Sequence, residues 1–240
     1  MKTILGATAL AALGTAALAQ DTVRIGTEGA YPPYNFINDA GDLDGYEIAL
    51  GAELCARADL ACEFVSNDWD SIIPNLVSGN YDVIMAGMSI TDERDEVIDF
   101  TQNYIPPAAS LYLAMDEGAD LEGGVVAAQV NTIQAGHVAD SGATLLEFAT
   151  PDEAVAAVRN GEADAVFADG EYLLPIAAES GDLMIVGDEV PLGGGVGAGL
   201  RESDGDLREA LDGAIQSMKD DGSLNDLIVE WFGEDAAVYE

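Results

Sequence analysis

Apolar and polar residues alternate along the first part of the chain in patterns that predict strands and helices in turn. Residues 23–26 and 62–65 are short apolar runs typical of buried strands, whereas residues 46–55 place their apolar side chains on one helical face. A second helix, ending at Gly79, is predicted from the i, i+3, i+4, i+7, i+8 spacing of Trp69, Ile72, Ile73, Leu76 and Val77. A buried strand over residues 82–88 completes this series.

The same alternation begins again near Gly124. Residues 124–129 and 144–148 read as strands, with a helix that opens near Thr132 between them. A further helix ends at Gly161, before a strand over residues 164–168, and its first turn has an N-cap, a proline and a capping-box acid in Thr150, Pro151 and Glu153. Because strands and helices alternate, the chain is predicted to be an α/β protein with parallel sheets.

Two helices are predicted to close the chain. The first has a single apolar face made of Leu207, Ala210, Leu211, Ala214 and Met218. The second is predicted to begin with a capping box of Ser223 and Asp226. Nothing in this tail suggests chemistry, so we interpret both as packing helices.

One short pattern occurs twice. Residues 79–84 (GNYDVI) and 161–166 (GEADAV) both join a helix end to a strand by Gly-x-x-Asp followed by apolar residues. Five residues beyond the two aspartates lie Gly87 and Asp169, at the carboxyl ends of strands, where open α/β sheets bind ligands. The repeat suggests two pseudo-equivalent halves that face each other across a cleft. A helix followed by a glycine and a strand is, however, also a common sequence of elements in any α/β protein.

The amino-terminal residues predict export. Lys2 precedes an apolar stretch over residues 4–18, which closes on Ala17-Leu18-Ala19, the small-residue pattern at which signal peptides are cleaved. This stretch is about 15 residues long, shorter than the roughly 20 that cross a bilayer, so we expect cleavage after Ala19 and no retained anchor. No cysteine sits at the cleavage point and no later apolar run approaches a span, so neither a lipoprotein nor direct membrane insertion is expected.

The formal net charge is −37, from 45 acidic and eight basic residues, and it becomes −38 if Lys2 leaves with the signal peptide. Nucleic acid and anionic lipid are poor partners for such a surface. The charge would attract cationic solutes at long range, but a solvated acidic surface suited to salty water explains the same charge and is the interpretation we favour. The charge alone therefore does not name a ligand.

Cys55 and Cys62 are the only cysteines. Export places them in an oxidising compartment, where a pair seven residues apart can close a small loop, so we predict a disulfide. The alternative is two inert buried thiols. A metal site is not expected, because the single histidine, His137, is far away in the sequence.

Several short motifs, in order, resemble the polar amino-acid-binding proteins of ABC importers, the solute-binding protein family 3, especially the lysine/arginine/ornithine- and histidine-binding type. The resemblance runs from about Val23 to Gly233 and is weaker in the second half. The motifs are residues 26–34 (GTEGAYPPY), 43–48 (LDGYEI), 53–55 (ELC), 69–74 (WDSIIP), 89–94 (SITDER) and 197–201 (GAGLR).

The resemblance implies the type II fold of periplasmic binding proteins, with two α/β lobes of mainly parallel sheets joined by two crossing strands. We would place those strands near residues 110–114 and 196–200. Lobe one would then be discontinuous, with residues 20–108 and 197–240, and lobe two would take residues 109–196, after a signal peptide over residues 1–19. The implied location is the periplasm, and the implied assembly is a monomer that serves a membrane permease.

The resemblance also implies how a free amino acid is held. The guanidinium of Arg94 would grip the α-carboxylate in a two-pronged contact, completed by backbone N–H groups near Asn131 and Thr132. Asp169 would meet the α-ammonium with the Ser89 hydroxyl and the Gly87 carbonyl. From the residues alone, Arg94 could equally be a helix-surface arginine that neutralises its acidic neighbours, and an aspartate like Asp169 is most often a turn or cap residue.

The ligand's side chain would lie between Tyr31 and Trp69, whose rings suit an aliphatic stem or a flat cation, although such a Trp taken singly is more often core. Glu28 stands where cation-binding relatives keep an acid for the distal ammonium or guanidinium; it could also accept hydrogen bonds from glutamine. The chain departs from relatives at Ala86, Gly87 and Ile133, where polar side chains are frequent, so the resemblance does not identify the exact ligand.

The competing hypothesis is a periplasmic enzyme on the same fold, similar to cyclohexadienyl or arogenate dehydratases, since a fold does not determine a function. The sequence has no Ser-His-Asp order, no Gly-x-Ser-x-Gly and no metal cluster, although a carboxylate such as Glu28 could act as acid or base. No cofactor is expected. A ligand-sensing receptor domain is a third possibility, weakened by the lack of a signalling segment.

Overall fold

Thirteen strands and eight helices make up residues 22–240, the part of the chain that this computed structural model describes; the predicted signal peptide lies outside the described residues. The strands are β1 (Val23–Thr27), β2 (Ala30–Tyr31), β3 (Asn35–Ile37), β4 (Leu43–Asp44), β5 (Cys62–Ser66), β6 (Val83–Ile84), β7 (Asp99–Phe100), β8 (Ala109–Ala114), β9 (Val125–Gln129), β10 (Thr144–Phe148), β11 (Ala165–Asp169), β12 (Met184–Pro191) and β13 (Gly199–Leu200). The helices are α1 (Tyr46–Arg57), α2 (Ile72–Val77, after a 3₁₀ turn at Trp69–Ser71), α3 (Asp92–Asp95), α4 (Ile133–Asp140), α5 (Pro151–Arg159), α6 (Gly170–Glu179), α7 (Gly205–Asp221) and α8 (Ser223–Phe232).

Two five-stranded sheets organise these elements, in the orders β5-β1-β6-β13-β7 and β10-β9-β11-β8-β12. In each sheet the first three strands are parallel, and the fourth, β13 or β8, is antiparallel to both of its neighbours. Four of the five strands therefore run in one direction, which confirms the predicted α/β class with mainly parallel sheets. We call the first sheet with α1–α3, α7, α8 and the small sheet β2-β3-β4 lobe one, and the second sheet with α4–α6 lobe two.

The reversed strand of each sheet is the one that arrives from the other lobe. The chain leaves lobe one after β7 and enters lobe two as β8, then leaves after β12 and returns as β13. Residues 110–114, which we expected to be a crossing strand, instead lie inside the sheet of lobe two, since β8 pairs with both β11 and β12. The crossings are residues 101–108 and 192–198, which touch through an antiparallel bridge between Ile105 and Val196.

The repeated Gly-x-x-Asp pattern has the same structural role in both lobes. The carboxylate of Asp82 accepts the backbone N–H of Arg24 on β1 at 3.0 Å, and that of Asp164 accepts the backbone N–H of Val125 on β9 at 2.7 Å. The glycine that begins each pattern has a positive φ, which ends the preceding helix. The two halves are therefore equivalent in local structure as well as in strand order.

Most predicted helices form where the periodicity places them, with local differences. Thr150 and Glu153 form the predicted capping box of α5, and Thr132 caps α4. The capping box predicted at Ser223 and Asp226 is wrong, because the N-cap is Gly222 in a left-handed conformation and the Ser223 hydroxyl donates to Asp221 instead. The strand predicted over residues 82–88 shortens to β6, after which the chain turns into the cleft at Gly87, where φ is 63°.

The predicted disulfide between Cys55 and Cys62 is present and ties the end of α1 to the start of β5. Helix α1 packs its apolar face into the core of lobe one, where Leu50 and Leu54 are fully buried. No helix within residues 22–240 combines the length and the apolar character needed to cross a membrane.

Candidate functional site

A small cavity lies between the two lobes, at the carboxyl ends of the parallel strands. Open α/β sheets present loops and helix starts at this edge, where ligands can be reached by several elements at once. Lobe one contributes Glu28, Tyr31, Trp69, Ala86, Gly87, Ser89 and Arg94, and lobe two contributes Gln129, Thr132, Ile133, Gln134 and Asp169. All predicted site residues except Asn131 therefore line one cavity.

Arg94 is a cation without a carboxylate partner. Every other arginine of the described chain (Arg24, Arg57, Arg159, Arg201 and Arg208) pairs with at least one carboxylate, but none lies within ion-pairing distance of the Arg94 guanidinium. Its Nη1 donates to the Ser89 carbonyl at 2.8 Å, and the group stacks on Trp69 at 5.4 Å. Burial lowers the pKa of Arg94 to about 10, so it remains charged at neutral pH.

Asp169 is the corresponding anion on the lobe-two side. It ends β11, where its Oδ1 accepts from Gln134 Nε2 at 2.8 Å and its Oδ2 accepts from the Tyr31 hydroxyl at 2.7 Å. Burial raises the pKa of Asp169, whereas these donors and the positive charge of Arg94 act in the opposite direction. Arg94 and Asp169 thus face one cavity with opposite charges that do not pair with each other.

A second carboxylate, Glu28, follows β1 at the other side of the cavity. Its Oε1 accepts from Gln129 Nε2 at 2.6 Å, across the boundary between the lobes. Burial raises the pKa of Glu28 to about 7, and the negative charges of Asp68, Asp152 and Glu47 act in the same direction. An acid with this pKa changes its charge within the physiological range.

Tyr31 and Trp69 form largely apolar walls. Trp69 is 8% exposed and its indole N–H donates to the Val130 carbonyl of lobe two at 3.0 Å. Tyr31 is 7% exposed and stacks on Tyr172 of lobe two with ring centroids 4.6 Å apart. Both rings thus bridge the lobes as well as lining the cavity, and Tyr31 also positions Asp169 through its hydroxyl.

Gly87 and Ser89 lie in the loop after β6, which a buried acid holds in place. The carboxylate of Glu47, fully buried on α1, accepts the backbone N–H of Gly87 at 2.8 Å and the amide of Asn35 at 2.7 Å. A Cβ on Gly87 would lie 3.2 Å from the Tyr31 ring, and φ is positive there, so glycine fits this position. Glu47 therefore shapes the cavity without lining it.

The start of α4 supplies the lobe-two end of the cavity. Thr132 caps this helix by accepting from the Ala135 N–H at 3.1 Å, and its hydroxyl donates to the Gln129 carbonyl. Asn131, with a positive φ of 58°, lies beside the cavity, and its carbonyl oxygen is 3.3 Å from Arg94 Nη2. The start of α4 therefore lies at the lobe-two end of the cavity, next to Arg94.

The sequence analysis missed Gln129 and Gln134, two buried glutamines of lobe two. Each donates to one cavity carboxylate, Gln129 to Glu28 and Gln134 to Asp169. Only their positions in the sequence could have marked them as candidate site residues, since Gln129 ends a predicted strand and Gln134 is in the first turn of the helix that follows. Ala86 and Ile133, noted as departures from relatives, also line the cavity.

The arrangement is suited to holding a zwitterion. A cation and an anion that form no ion pair with each other face one cavity, so a small molecule with both charges would pair with both. Within residues 22–240, no group of three or more histidine, cysteine or acidic side chains is placed to hold a metal ion.

Comparisons with known proteins agree with this architecture. Residues 23–234 match the family model of the bacterial extracellular solute-binding proteins, family 3. The octopine-binding periplasmic protein of Rhizobium meliloti is 31% identical over 98% of both chains, and the histidine-binding periplasmic protein of Salmonella typhimurium is 33% identical over 89% of this chain and 88% of that protein.

Solved structures share the fold. A periplasmic His/Glu/Gln/Arg/opine family-binding protein from Silicibacter pomeroyi, in complex with lysine, is 76% identical with a TM-score of 0.90, covering 91% of this chain and 100% of that one. An ancestral amino acid-binding protein described as a precursor of cyclohexadienyl dehydratase is 29% identical with a TM-score of 0.80, covering 88% and 95%. The matched family model spans both lobes and the cavity between them, so this chain belongs to the bacterial extracellular solute-binding proteins, family 3.

Proposed function

We propose that this protein captures a free amino acid in the cavity between its lobes. The observation that carries the proposal is the pair of unpaired opposite charges, Arg94 and Asp169, on one cavity of a chain whose other arginines are all neutralised by carboxylates. A charge removed from water without a partner costs free energy, so these two groups are expected to be completed by a ligand. The α-carboxylate and α-ammonium of an amino acid have the required signs.

The contacts follow from this assignment. Arg94 would hold the α-carboxylate with two N–H donors, and backbone N–H groups near Asn131 and Thr132 would complete its cradle. Asp169 would hold the α-ammonium, together with the Ser89 hydroxyl and the Gly87 carbonyl. The ligand's charged end would then touch both lobes at once.

The ligand's side chain would lie between Tyr31 and Trp69 and point its distal end toward Glu28. A partly desolvated acid favours a cationic side chain, so we propose arginine, lysine, ornithine or histidine as the class of ligand. The Silicibacter pomeroyi neighbour in complex with lysine, and the relative named for histidine, support this choice.

Ligand contacts to both lobes would stabilise the closed form, and only such a difference in affinity can shift an open–closed equilibrium. The side chains of Tyr31, Gln129, Trp69 and Arg94 already donate hydrogen bonds across the boundary between the lobes. We propose that lobe one takes residues 20–108 and 197–240 and lobe two residues 109–196. The closed, monomeric protein would be recognised in the periplasm by the permease of an ABC importer, after cleavage of the signal peptide behind Ala19.

A dehydratase activity is the second candidate, because one solved neighbour is described as a precursor of such an enzyme. Glu28, with a pKa of about 7, could in principle transfer a proton. We propose binding instead, since the geometry offers a place for a zwitterion and the family is one of solute-binding proteins.

The test is isothermal titration of unfolded, ligand-stripped and refolded protein with arginine, lysine, ornithine, histidine, glutamine and leucine. We expect tight one-to-one binding of a cationic amino acid. Arginine amide, which lacks the carboxylate, and N-acetylarginine, which lacks the ammonium, should bind at least about a hundredfold more weakly. Failure of all amino acids to bind, with turnover of prephenate or arogenate, would replace the proposal with the enzyme.

A further inference from the structure

Gln129 connects Glu28 to lobe two. The glutamine ends β9 and is 7% exposed, and its Nε2 donates both to Glu28 Oε1 at 2.6 Å and to the Ala149 carbonyl at 3.1 Å. Both N–H bonds of the amide nitrogen are thereby used. The Ala149 contact, after β10, orients the amide, so the second N–H is aimed at Glu28 by lobe two itself.

Glu28 has no compensating cation among the described residues that act on it. The charged groups that face it are Asp68 before the 3₁₀ turn, Asp152 on α5 and Glu47 on α1, and all three are negative. Ser66, on the adjacent β5, donates only to the backbone carbonyl of Glu28. The Gln129 amide is therefore the side-chain donor that opposes burial and like charge at this carboxylate.

We infer that Gln129 is a specificity-determining positioning residue: by donating to Glu28 across the closed cavity, it keeps that carboxylate ionised for a cationic ligand side chain. The inference rests on the proposed function. Lobe two would then contribute to recognition of the ligand's side chain, although the acid that contacts this side chain belongs to lobe one. The hydrogen bond joins the lobes, so it is made when they close, at the step when Glu28 loses its water.

The charge of Glu28 then depends on the ligand. With arginine, the distal guanidinium and Gln129 together replace the lost water, and the carboxylate stays ionised. With a neutral ligand such as glutamine, only Gln129 and the ligand's amide replace it, and closure at neutral pH draws a proton from solvent onto Glu28. Binding of glutamine should therefore take up protons, whereas binding of arginine should not, and the preference for arginine should fall as the pH falls below about 7.

The experiment is calorimetric titration of arginine and glutamine into the ligand-stripped full chain, at pH 6, 7 and 8, in two buffers of different ionisation enthalpy. The difference in binding enthalpy between the two buffers gives the number of protons that the protein takes up or releases on binding. Gln129→Met removes both donors at similar size, Gln129→Asn keeps an amide that cannot reach Glu28, and Gln216→Met on the exposed face of α7 is the matched control. Either Gln129 variant that refolds serves the test.

At pH 7, we expect the Gln129 variants to weaken arginine binding by about tenfold or more, to change glutamine binding by less than about threefold, and to increase proton uptake with both ligands. The Gln216 variant should match the parent. Equal weakening of both ligands with unchanged proton uptake would overturn the inference, since Gln129 would then act only in packing. If the parent protein binds neither ligand nor any other amino acid, it is the proposed function that fails.

Discussion

The Tyr31 hydroxyl donates a hydrogen bond of 2.7 Å to Oδ2 of Asp169. This bond joins β2 of lobe one to the end of β11 in lobe two. Asp169 N is also 3.3 Å from the same hydroxyl oxygen. The phenol thus already donates to the carboxylate that we assign to the ligand's ammonium. The same hydrogen bond helps to hold the lobes together around the cavity.

Tyr31→Phe should therefore favour the open form of the ligand-free protein, because a hydrogen bond to a charged group contributes about 1.5–3 kcal/mol. Small-angle scattering should show a larger radius of gyration without ligand, and the parent value once arginine is added. Tyr172→Phe is the control, since that hydroxyl bonds Asp152 within lobe two. Identical scattering of Tyr31→Phe and the parent would contradict the prediction.

Arg94→Lys should lower the affinity for every amino acid by about a hundredfold, because an ammonium cannot make the two-pronged contact of a guanidinium. The loss should be independent of the ligand's side chain. Arg208→Lys keeps a cation near Asp99 on the surface of lobe one and should leave binding unchanged. An affinity for arginine within threefold of the parent would remove Arg94 from the site.

Gln134→Leu should lower the free energy of unfolding by about 1–3 kcal/mol, since Ser110 and Asp169 both lose a buried donor. It should weaken arginine and glutamine binding by similar factors, because Asp169 meets the part that all amino acids share. Urea unfolding and calorimetry measure the two effects. A selective loss of arginine binding would instead place Gln134 near the side chain.

The ligand-free protein should become more stable as the pH is lowered from 8 to about 5. Burial raises the pKa of Glu171, which does not line the cavity, to about 7, and it also raises the pKa of Glu47 within lobe one. The folded state then binds more protons than the unfolded state between about pH 4.5 and 7, so stability falls as the pH rises through this window. The net charge of −37 acts in the same direction through self-repulsion.

Urea midpoints at half-unit pH steps would check this trend, and Glu171→Gln should flatten it. At lower pH the sign reverses: hydrogen bonds to Arg24 and Arg201 lower the pKa of Asp82, so its contribution is present above the unfolded pKa and lost as the pH falls through the folded value. A midpoint that rises steadily from pH 5 to pH 8 would show that the raised pKa values are wrong.

Replacing both Cys55 and Cys62 by serine should cost about 2–3 kcal/mol of unfolding free energy, as closing a short loop predicts. The bond joins α1 to β5, and neither cysteine lines the cavity. Affinity for arginine should therefore stay within twofold, and a larger loss would mean that the loop supports the site.

Much of this architecture follows from local sequence patterns. Arg94 was predicted from the resemblance carried by the motif at residues 89–94, and Asp169 from its place at a strand end together with that resemblance, because the residues alone left a structural alternative for each. Gln129 and Gln134 could not be predicted, since a glutamine becomes informative only through the partner it meets, and their partners are 101 and 35 residues away. Strand β6 was overestimated because the apolar run over residues 85–88 also suits a loop that turns into a cavity between two lobes.

The position of β13 has a consequence for how the chain assembles. Strand β7 meets the first sheet only through β13, which lies between β6 and β7 although it follows the whole of lobe two in sequence. A chain that emerges with its amino terminus first therefore has all the strands of its second sheet before the last strand of its first. The lobe that begins the chain is therefore completed last. The edges of β6 and β7 that pair with β13 stay unpaired until the carboxyl-terminal segment has been made.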